Sequence, residues 1–276
     1  MIKMKELEFD YLYKKYAHLL PSKDRDIYLL REAMFGFSEM REYLENLEGS
    51  VLEVGCGPGL LLNELSDIFP KNSYLGVDPF ISSYEKFSNI LDSINKVKFK
   101  KSKIEDFDTD EKFDLVFSIN VCEHVENWES YIEKTQSLLT PNGISIILCP
   151  TYDLPYETHV IIPIIINKDI TYKIFQKKIR DYEENLGIQG NWESVNFIKA
   201  RHVKKYIKNK YSGNFDLNIH DRLFKRLTHD SFFLERHGLL GKFCQFLYKI
   251  RLNKFIFNFL GIPFPYMKIE IKNFLK

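Results

Sequence analysis

The run Val51-Leu52-Glu53-Val54-Gly55-Cys56-Gly57-Pro58-Gly59-Leu60-Leu61-Leu62 constrains this chain more than any other stretch. A short apolar segment of buried-strand character holds one acid, glycines follow at alternate positions, and apolar helix-like text begins. Glycines tolerate positive φ and let backbone approach a ligand with no Cβ in the way. A helix starting near Gly59 aims its free N–H groups and positive dipole end into the same space, which suits an anionic group or a nucleoside bearing a carboxylate. The spacing is GxGxG, whereas a dinucleotide fingerprint places its third glycine one position later. Neither pattern decides the ligand by itself.

Around this turn, strand candidates at 50–54, 73–77, 97–101, 113–119 and 143–149 alternate with helical patterns near 59–69, 80–95 and 127–140. Such alternation implies an open α/β sheet with parallel pairing through right-handed crossovers. Thr140-Pro141-Asn142-Gly143 reads as a stop-and-turn before the fifth strand, and 101–113 as an acidic loop. Residues 4–46 look helical and amphipathic. Beyond Pro150 the alternation breaks. A loop with two prolines (TYDLPYETHVIIP) leads to a charged helix at about 168–185; 194–210 reads as a strand and a basic helix, 216–260 as helical and aromatic, and 263–273 as a closing strand. The expectation is one domain over 1–276: a helical cap (1–47), a ligand-binding core (48–150), and helical lid elements with closing strands (151–276) over the sheet's carboxyl edge. For 214–262, extension of the core is the equal alternative.

No run of 18 apolar residues occurs, and the opening MIKMKELEFD is not a signal peptide. Cys56, Cys122, Cys149 and Cys244 are widely spaced without a CxxC pair, which fits reduced thiols. A soluble, cytoplasmic chain is expected. The net charge of +1 hides an asymmetry: residues 199–276 carry 17 Lys+Arg against 5 Asp+Glu, leaving 22 against 33 before them. A basic third can face nucleic acid, anionic lipid or an anionic small molecule, or simply be solvated.

Asp78 ends the second strand candidate, 19 residues after Gly59, where an acid can accept hydrogen bonds from a ribose's vicinal hydroxyls. The fourth candidate, Phe113-Asp114-Leu115-Val116-Phe117-Ser118-Ile119-Asn120, runs into Val121-Cys122-Glu123-His124-Val125. Together, VLEVGCGPG, Asp78 and FDLVFSINVCEHV resemble the class I S-adenosylmethionine-dependent methyltransferases over about residues 48–150. The resemblance implies a Rossmann-like, seven-stranded, mostly parallel sheet with helices on both faces, and S-adenosylmethionine as cofactor. It sets Glu53, Gly55, Cys56, Gly57 and Gly59 against the methionine part, Asp78 on the ribose, Ile104 and Glu105 beside the adenine, and Asn120 at the methionine end. Lys103 stands where the family often has an acid.

Methyl transfer from a sulfonium is an in-line displacement, and an alcohol acceptor must also lose a proton, so a positioned base helps. Asn120, Glu123 and His124 fall at i, i+3, i+4 and share a side if a helical turn begins there. A second cluster, Tyr156-Glu157-Thr158-His159, follows the fifth strand. His159, His124 and Glu157 are the catalytic candidates. His124 can instead pack behind the cofactor loop, and Glu123 can merely cap or pair. The EHV element is similar to that of quinone-biosynthesis O-methyltransferases, some of which bind a divalent cation there. Asn120 replaces an acid of that pattern, and one carboxylate with one imidazole makes a poor hard-cation site, so no metal is expected.

Flipped-base amino-methylating enzymes often carry an Asn/Asp-Pro-Pro-aromatic element after strand four, where this chain has Asn120-Val121-Cys122-Glu123, and Cys149-Pro150 reverses the nucleophile order of cytosine-C5 enzymes. Nucleic acid is therefore not the expected substrate. Leu239, Phe243, Phe246, Leu247 and Ile250 recur at helical spacing with Lys242, Gln245 and Lys249 between them. Such a helix can lie on a membrane, cap a lipid-bearing substrate, or pack on its own domain. The expectation is an O-methyltransferase acting on a polar, anionic small molecule or a sugar or surface-polysaccharide precursor. A quinone or lipid head-group enzyme, and a non-catalytic cofactor-binding partner, are the alternatives.

Overall fold

The computed structural model describes residues 7–22, 26–79, 87–211, 226, 228, 230–253, 255–256 and 266–272. Parts of the helices expected at 80–95 and 216–260, and of the strand expected at 263–273, lie outside them. Two compact units divide the chain: residues 1–122, 127–146 and 272–276 form the first, and 123–126 and 147–271 the second.

In the first unit, α1 (Phe9–Tyr16) and α2 (Tyr28–Leu44) precede β1 (Ser50–Val54), α3 (Leu60–Ile68), β2 (Ser73–Val77), α4 (Ser88–Ser93), β3 (Val97–Lys100), β4 (Phe113–Ile119) and α5 (Trp128–Ser137). β1 pairs in parallel with both β2 and β4, Val51 standing opposite Tyr74 on one side and Leu115 on the other, and β2 pairs in parallel with β3. A central parallel strand is covered on both faces, and Val51, Leu52, Glu53 and Val54 are all buried. With β5 (Leu139–Pro150) and a closing strand, β8 (Tyr266–Lys272), the sheet has the order β3-β2-β1-β4-β5-β8. The order reverses between β1 and β4, so a crevice opens at their carboxyl ends, where open α/β sheets bind ligands.

α1 is pinned to α3 by a buried carboxylate. The Tyr16 hydroxyl donates to Glu64 Oε1 at 2.5 Å, Lys15 Nζ donates to the same oxygen at 2.7 Å, and Asn63 Nδ2 donates to the Tyr16 hydroxyl at 2.5 Å. A buried acid needs such partners, and here they fasten the N-terminal helix to the helix that follows the glycine turn.

Three expectations meet a different outcome. Thr140-Pro141-Asn142-Gly143 is not a turn before the fifth strand but the strand's own beginning. Thr140 Oγ1 donates to Asp114 Oδ1 at 2.9 Å, and a Cβ on Gly143 would lie 2.8 Å from the Phe113 carbonyl oxygen, so glycine serves a close strand approach. Pro141 is exposed, where a missing ladder donor costs little. Among the described residues the sheet has six strands, where seven are expected for the whole chain. The strand expected from 194 does not form, because the Ile198 N–H turns back to the Asn196 carbonyl at 2.7 Å instead of entering a ladder.

The second unit contains a two-stranded hairpin, β6 (Tyr156–Glu157) against β7 (Ile162–Pro163), then α6 (Lys168–Leu186), α7 (Asn191–Ser194), α8 (Ala200–Lys210) and α9 (Ser231–Lys249). Asn167 caps α6 by accepting from the Ile170 N–H, and Gly187 ends it in the left-handed region. Val160, Ile162, Ile179 and Trp192 form a core behind the hairpin, with Tyr172, Phe175, Tyr182 and Phe197 packed on it. All four cysteines are free thiols, and no described helix is long and apolar enough to cross a membrane.

Candidate active site

In the first unit the glycine turn joins β1 to α3. Gly55, Gly57 and Gly59 all have positive φ. A Cβ on Gly59 would lie 2.4 Å from the Phe99 ring, so that glycine is required by packing, whereas a Cβ on Gly57 would meet nothing within 4 Å and faces open space. Gly59 caps α3 with no side chain to bond the first-turn N–H groups, which leaves them for a ligand. The Gly57 N–H donates to Asp78 Oδ2 at 3.0 Å, tying the turn to the acid at the end of β2. Cys56 is buried, its sulfur close to the Cβ position of Gly76.

Glu53 is buried, and its Oε2 has no hydrogen-bond partner. Burial first, and the neighbouring Asp78 charge second, hold its carboxyl well above the usual carboxylate range. An under-satisfied acid beside a second acid suits a cationic group, and the methionine part of S-adenosylmethionine carries an ammonium and a sulfonium. The residues of this turn therefore fit the cofactor. Ile104 is buried in the loop after β3, while Glu105 is exposed. Asn120 sits past β4 in the left-handed region (φ 56), and its Nδ2 donates to Glu32 Oε2 on α2 at 3.3 Å. That conformation precludes a helical turn beginning at Asn120, the condition on which Asn120, Glu123 and His124 would share a side; a 3₁₀ turn at Cys122–His124 forms instead.

The second unit brings Glu123, His124, Glu157 and His159 together. The short hairpin carries Glu157 on β6 and His159 in its tip. Glu157 is fully buried, and it accepts from His159 Nδ1 at 2.6 Å, from the His159 N–H at 3.0 Å and from the Val160 N–H at 2.6 Å. Burial pulls Glu157 upward, but these bonds outweigh it and its pKa is lowered. For His159, burial works against the charged ring, yet the Glu157 bond and charge win and raise its pKa. With Nδ1 donating to Glu157, the His159 Nε2 faces Glu123 Oε1 at 3.7 Å.

His124 is oriented from the other side. Ser194 Oγ donates to the Asn191 carbonyl at 2.8 Å, so it accepts from His124 Nδ1, also at 2.8 Å. His124 Nε2 then lies 3.9 Å from Glu123 Oε1. Burial, then the positive His159, lower the His124 pKa to about 4, which keeps this ring neutral. Glu123 is fully buried, neither carboxylate oxygen has a hydrogen-bond partner, and burial raises its pKa to about 7. Asn196 grips its backbone: the Asn196 N–H donates to the Glu123 carbonyl at 2.6 Å, and Asn196 Nδ2 donates to the Val125 carbonyl. Glu123, His124 and His159 offer ligand atoms within 4.8 Å of one another.

His159, His124 and Glu157 thus converge within one unit. Sequence reasoning weighed Glu123 beside His124 with capping or pairing as the alternative, and it missed Ser194 and Asn196. The signal it had was Glu123 next to His124, but the partners that bury and orient them lie some 70 residues onward.

Residues 25–210 match the model of a methyltransferase domain family. An uncharacterized protein of Mycobacterium tuberculosis is 30% identical over 189 residues, 63% of this chain and 61% of that protein. A ubiquinone biosynthesis O-methyltransferase of Bradyrhizobium diazoefficiens is 31% identical over 98 residues, 35% of this chain and 38% of that one. The chain spans less than two thirds of the length of these curated relatives. A crystal structure of the plantazolicin methyltransferase BpumL, in complex with an analogue and SAH, aligns over 96% of this chain and 89% of that one, at 14% identity and a TM-score of 0.49. With the family model covering more than half of its length, the chain belongs to the class I S-adenosylmethionine-dependent methyltransferases.

Proposed function

We propose that this chain transfers the methyl group of S-adenosylmethionine to a hydroxyl oxygen of a polar, anionic small molecule, such as a sugar or surface-polysaccharide precursor. The observation that carries this reading is the Glu157–His159 pair, a buried carboxylate 2.6 Å from Nδ1 of a histidine whose Nε2 lies on the Glu123 side, 3.7 Å from Oε1. In this reading the Glu53–Gly59 turn and Asp78 hold the cofactor, with Ile104, Glu105 and Asn120 bordering it. The acceptor O–H proton passes to His159 Nε2 as the O–CH₃ bond forms and the S–CH₃ bond breaks, leaving S-adenosylhomocysteine. Glu157 is the positioning residue: it fixes the tautomer and favours the imidazolium that results. The neutral His124 lines the same cluster as a hydrogen-bonding group for the acceptor.

The O-methyltransferase name of a relative supports oxygen as the methylated atom. The excess of Lys and Arg after residue 198 supports an anionic acceptor, as does Arg236, whose Nη2 donates to the His159 carbonyl at 3.1 Å.

Incubation with methyl-labelled S-adenosylmethionine and a panel of nucleotide sugars and phosphorylated sugars tests this reading. Label should appear on an acceptor oxygen, and His159→Ala should lower turnover by about 100-fold or more with cofactor affinity little changed. Wild-type rates in both His159→Ala and His124→Ala contradict the assignment.

A second reading is favoured by one observation, the convergence of Glu123, His124 and His159, each histidine held through Nδ1 by a further side chain. Those three would hold a divalent cation, which would supply a Lewis acid for the acceptor hydroxyl. Turnover that survives exhaustive chelation supports the base; turnover lost on chelation and restored by Mg²⁺ or Zn²⁺ supports the cation.

A further inference from the structure

α9 has two apolar faces. Gly241 and Leu247 are buried and Cys244 and Tyr248 half-buried, which accounts for its inward side. On the other side Leu239 is 86% exposed, Phe243 56%, Phe246 55% and Ile250 44%. At 100° per residue these four fall within a stripe about 60° wide, on the side of the helix roughly opposite Cys244 and Tyr248. The outward face of a helix in water is normally polar. This stripe lies wholly after Gly238, where the helix is kinked, so it rides on one uninterrupted segment.

The charges along this segment have a single sign. Lys242 and Lys249 are exposed along one flank, Arg251 follows, and no Asp or Glu occurs between Arg236 and Phe255. An apolar stripe flanked by lysines, on a segment that carries no acid, is complementary to a surface that is apolar within and anionic at its edge. A helix with this arrangement lies in the headgroup plane, its side chains a few ångströms into the acyl region.

We infer that the outward face of α9 docks the protein peripherally on an anionic phospholipid bilayer, with Leu239, Phe243, Phe246 and Ile250 inserted and Lys242 and Lys249 at the headgroups. Docking needs neither cofactor nor acceptor, so it stands apart from the proposed reaction.

Co-sedimentation of the full chain tests it, with vesicles of phosphatidylcholine alone and of phosphatidylcholine and phosphatidylglycerol at three to one. The wild type should bind the anionic vesicles and lose binding in high salt. Phe243→Ser/Phe246→Ser should weaken binding at least about 30-fold, from the loss of two buried rings. Lys242→Gln/Lys249→Gln should weaken it about 30-fold on anionic vesicles only, at roughly 1 kcal/mol per lysine. Retained circular dichroism and S-adenosylhomocysteine binding show that the variants are folded. No binding to anionic vesicles, or equal binding by the serine variant, overturns the proposal. A concentration-dependent dimer in sedimentation equilibrium that the serine variant dissolves also overturns it, by making a second copy the occupant.

Discussion

Glu123 illustrates how much a single side chain can cost. Buried with both oxygens unpartnered, it resists ionisation up to about pH 7, against an ordinary value of 4.5. A folded-state pKa raised in this way means stability falls as pH climbs from the unfolded value through the folded one. Glu123→Gln should therefore raise the melting temperature at pH 8 and match the wild type near pH 4.5, as scanning calorimetry at the two pH values would show; an equal or lower melting temperature at pH 8 contradicts the assigned burial. His159 is shifted the same way for the opposite reason, since its charged form is favoured by Glu157 whereas that of Glu123 is disfavoured by burial. Its ring is held protonated above the usual 6.5, so turnover by a neutral base should rise with pH through that raised value. Removing the carboxylate in Glu157→Gln should move the acidic limb of the kcat/KM profile to lower pH and reduce its plateau, and a limb that stays in place contradicts the positioning role. His124, His159 and Glu157 were legible as polar residues beside a Pro-rich loop and a strand end. Glu123 was not, because its isolation depends on Asn196 and the hairpin, which sequence spacing does not bring together.

At the scale of elements, the glycine turn separates two uses of one residue type. Gly59 is filled in behind by Phe99, with φ 78, so Gly59→Ala should destabilise the fold by about 1–3 kcal/mol. Gly57→Ala adds a methyl to open space at φ 52, which costs about 1–2 kcal/mol of backbone strain. Its larger effect should be on S-adenosylhomocysteine affinity, because the methyl points where no protein atom lies. Thermal unfolding and titration of both variants distinguish the two. β1 and β4 were readable from their apolar runs because parallel strands buried on both faces leave little room for other residue types, whereas the edge strand β3 alternates, with Lys98 and Lys100 exposed. The Pro141-Asn142 pair misled for the same local reason: turn chemistry and an exposed strand start look alike until the Asp114 carboxylate and the Gly143 approach are seen. The run from 194 kept the composition of a strand, yet the Val195 and Ile198 N–H groups bond locally, to Asn191 and Asn196, and the Asn196 N–H bonds to Glu123 rather than to a neighbouring strand.

For the molecule as a whole, the acidic first two thirds carry the cofactor turn and the basic last third carries the apolar stripe. Ligand that binds only the folded chain must stabilise it by mass action, so S-adenosylhomocysteine at 100 times its dissociation constant should add about 2.7 kcal/mol. The central claim, that the turn after β1 and Asp78 hold S-adenosylmethionine, is tested most directly by isothermal titration with S-adenosylmethionine and S-adenosylhomocysteine against wild type and Asp78→Ala. One site per chain, with affinity at least about tenfold weaker in Asp78→Ala, is the expected result. Heat from neither ligand in the wild type, or equal affinity in Asp78→Ala, contradicts it.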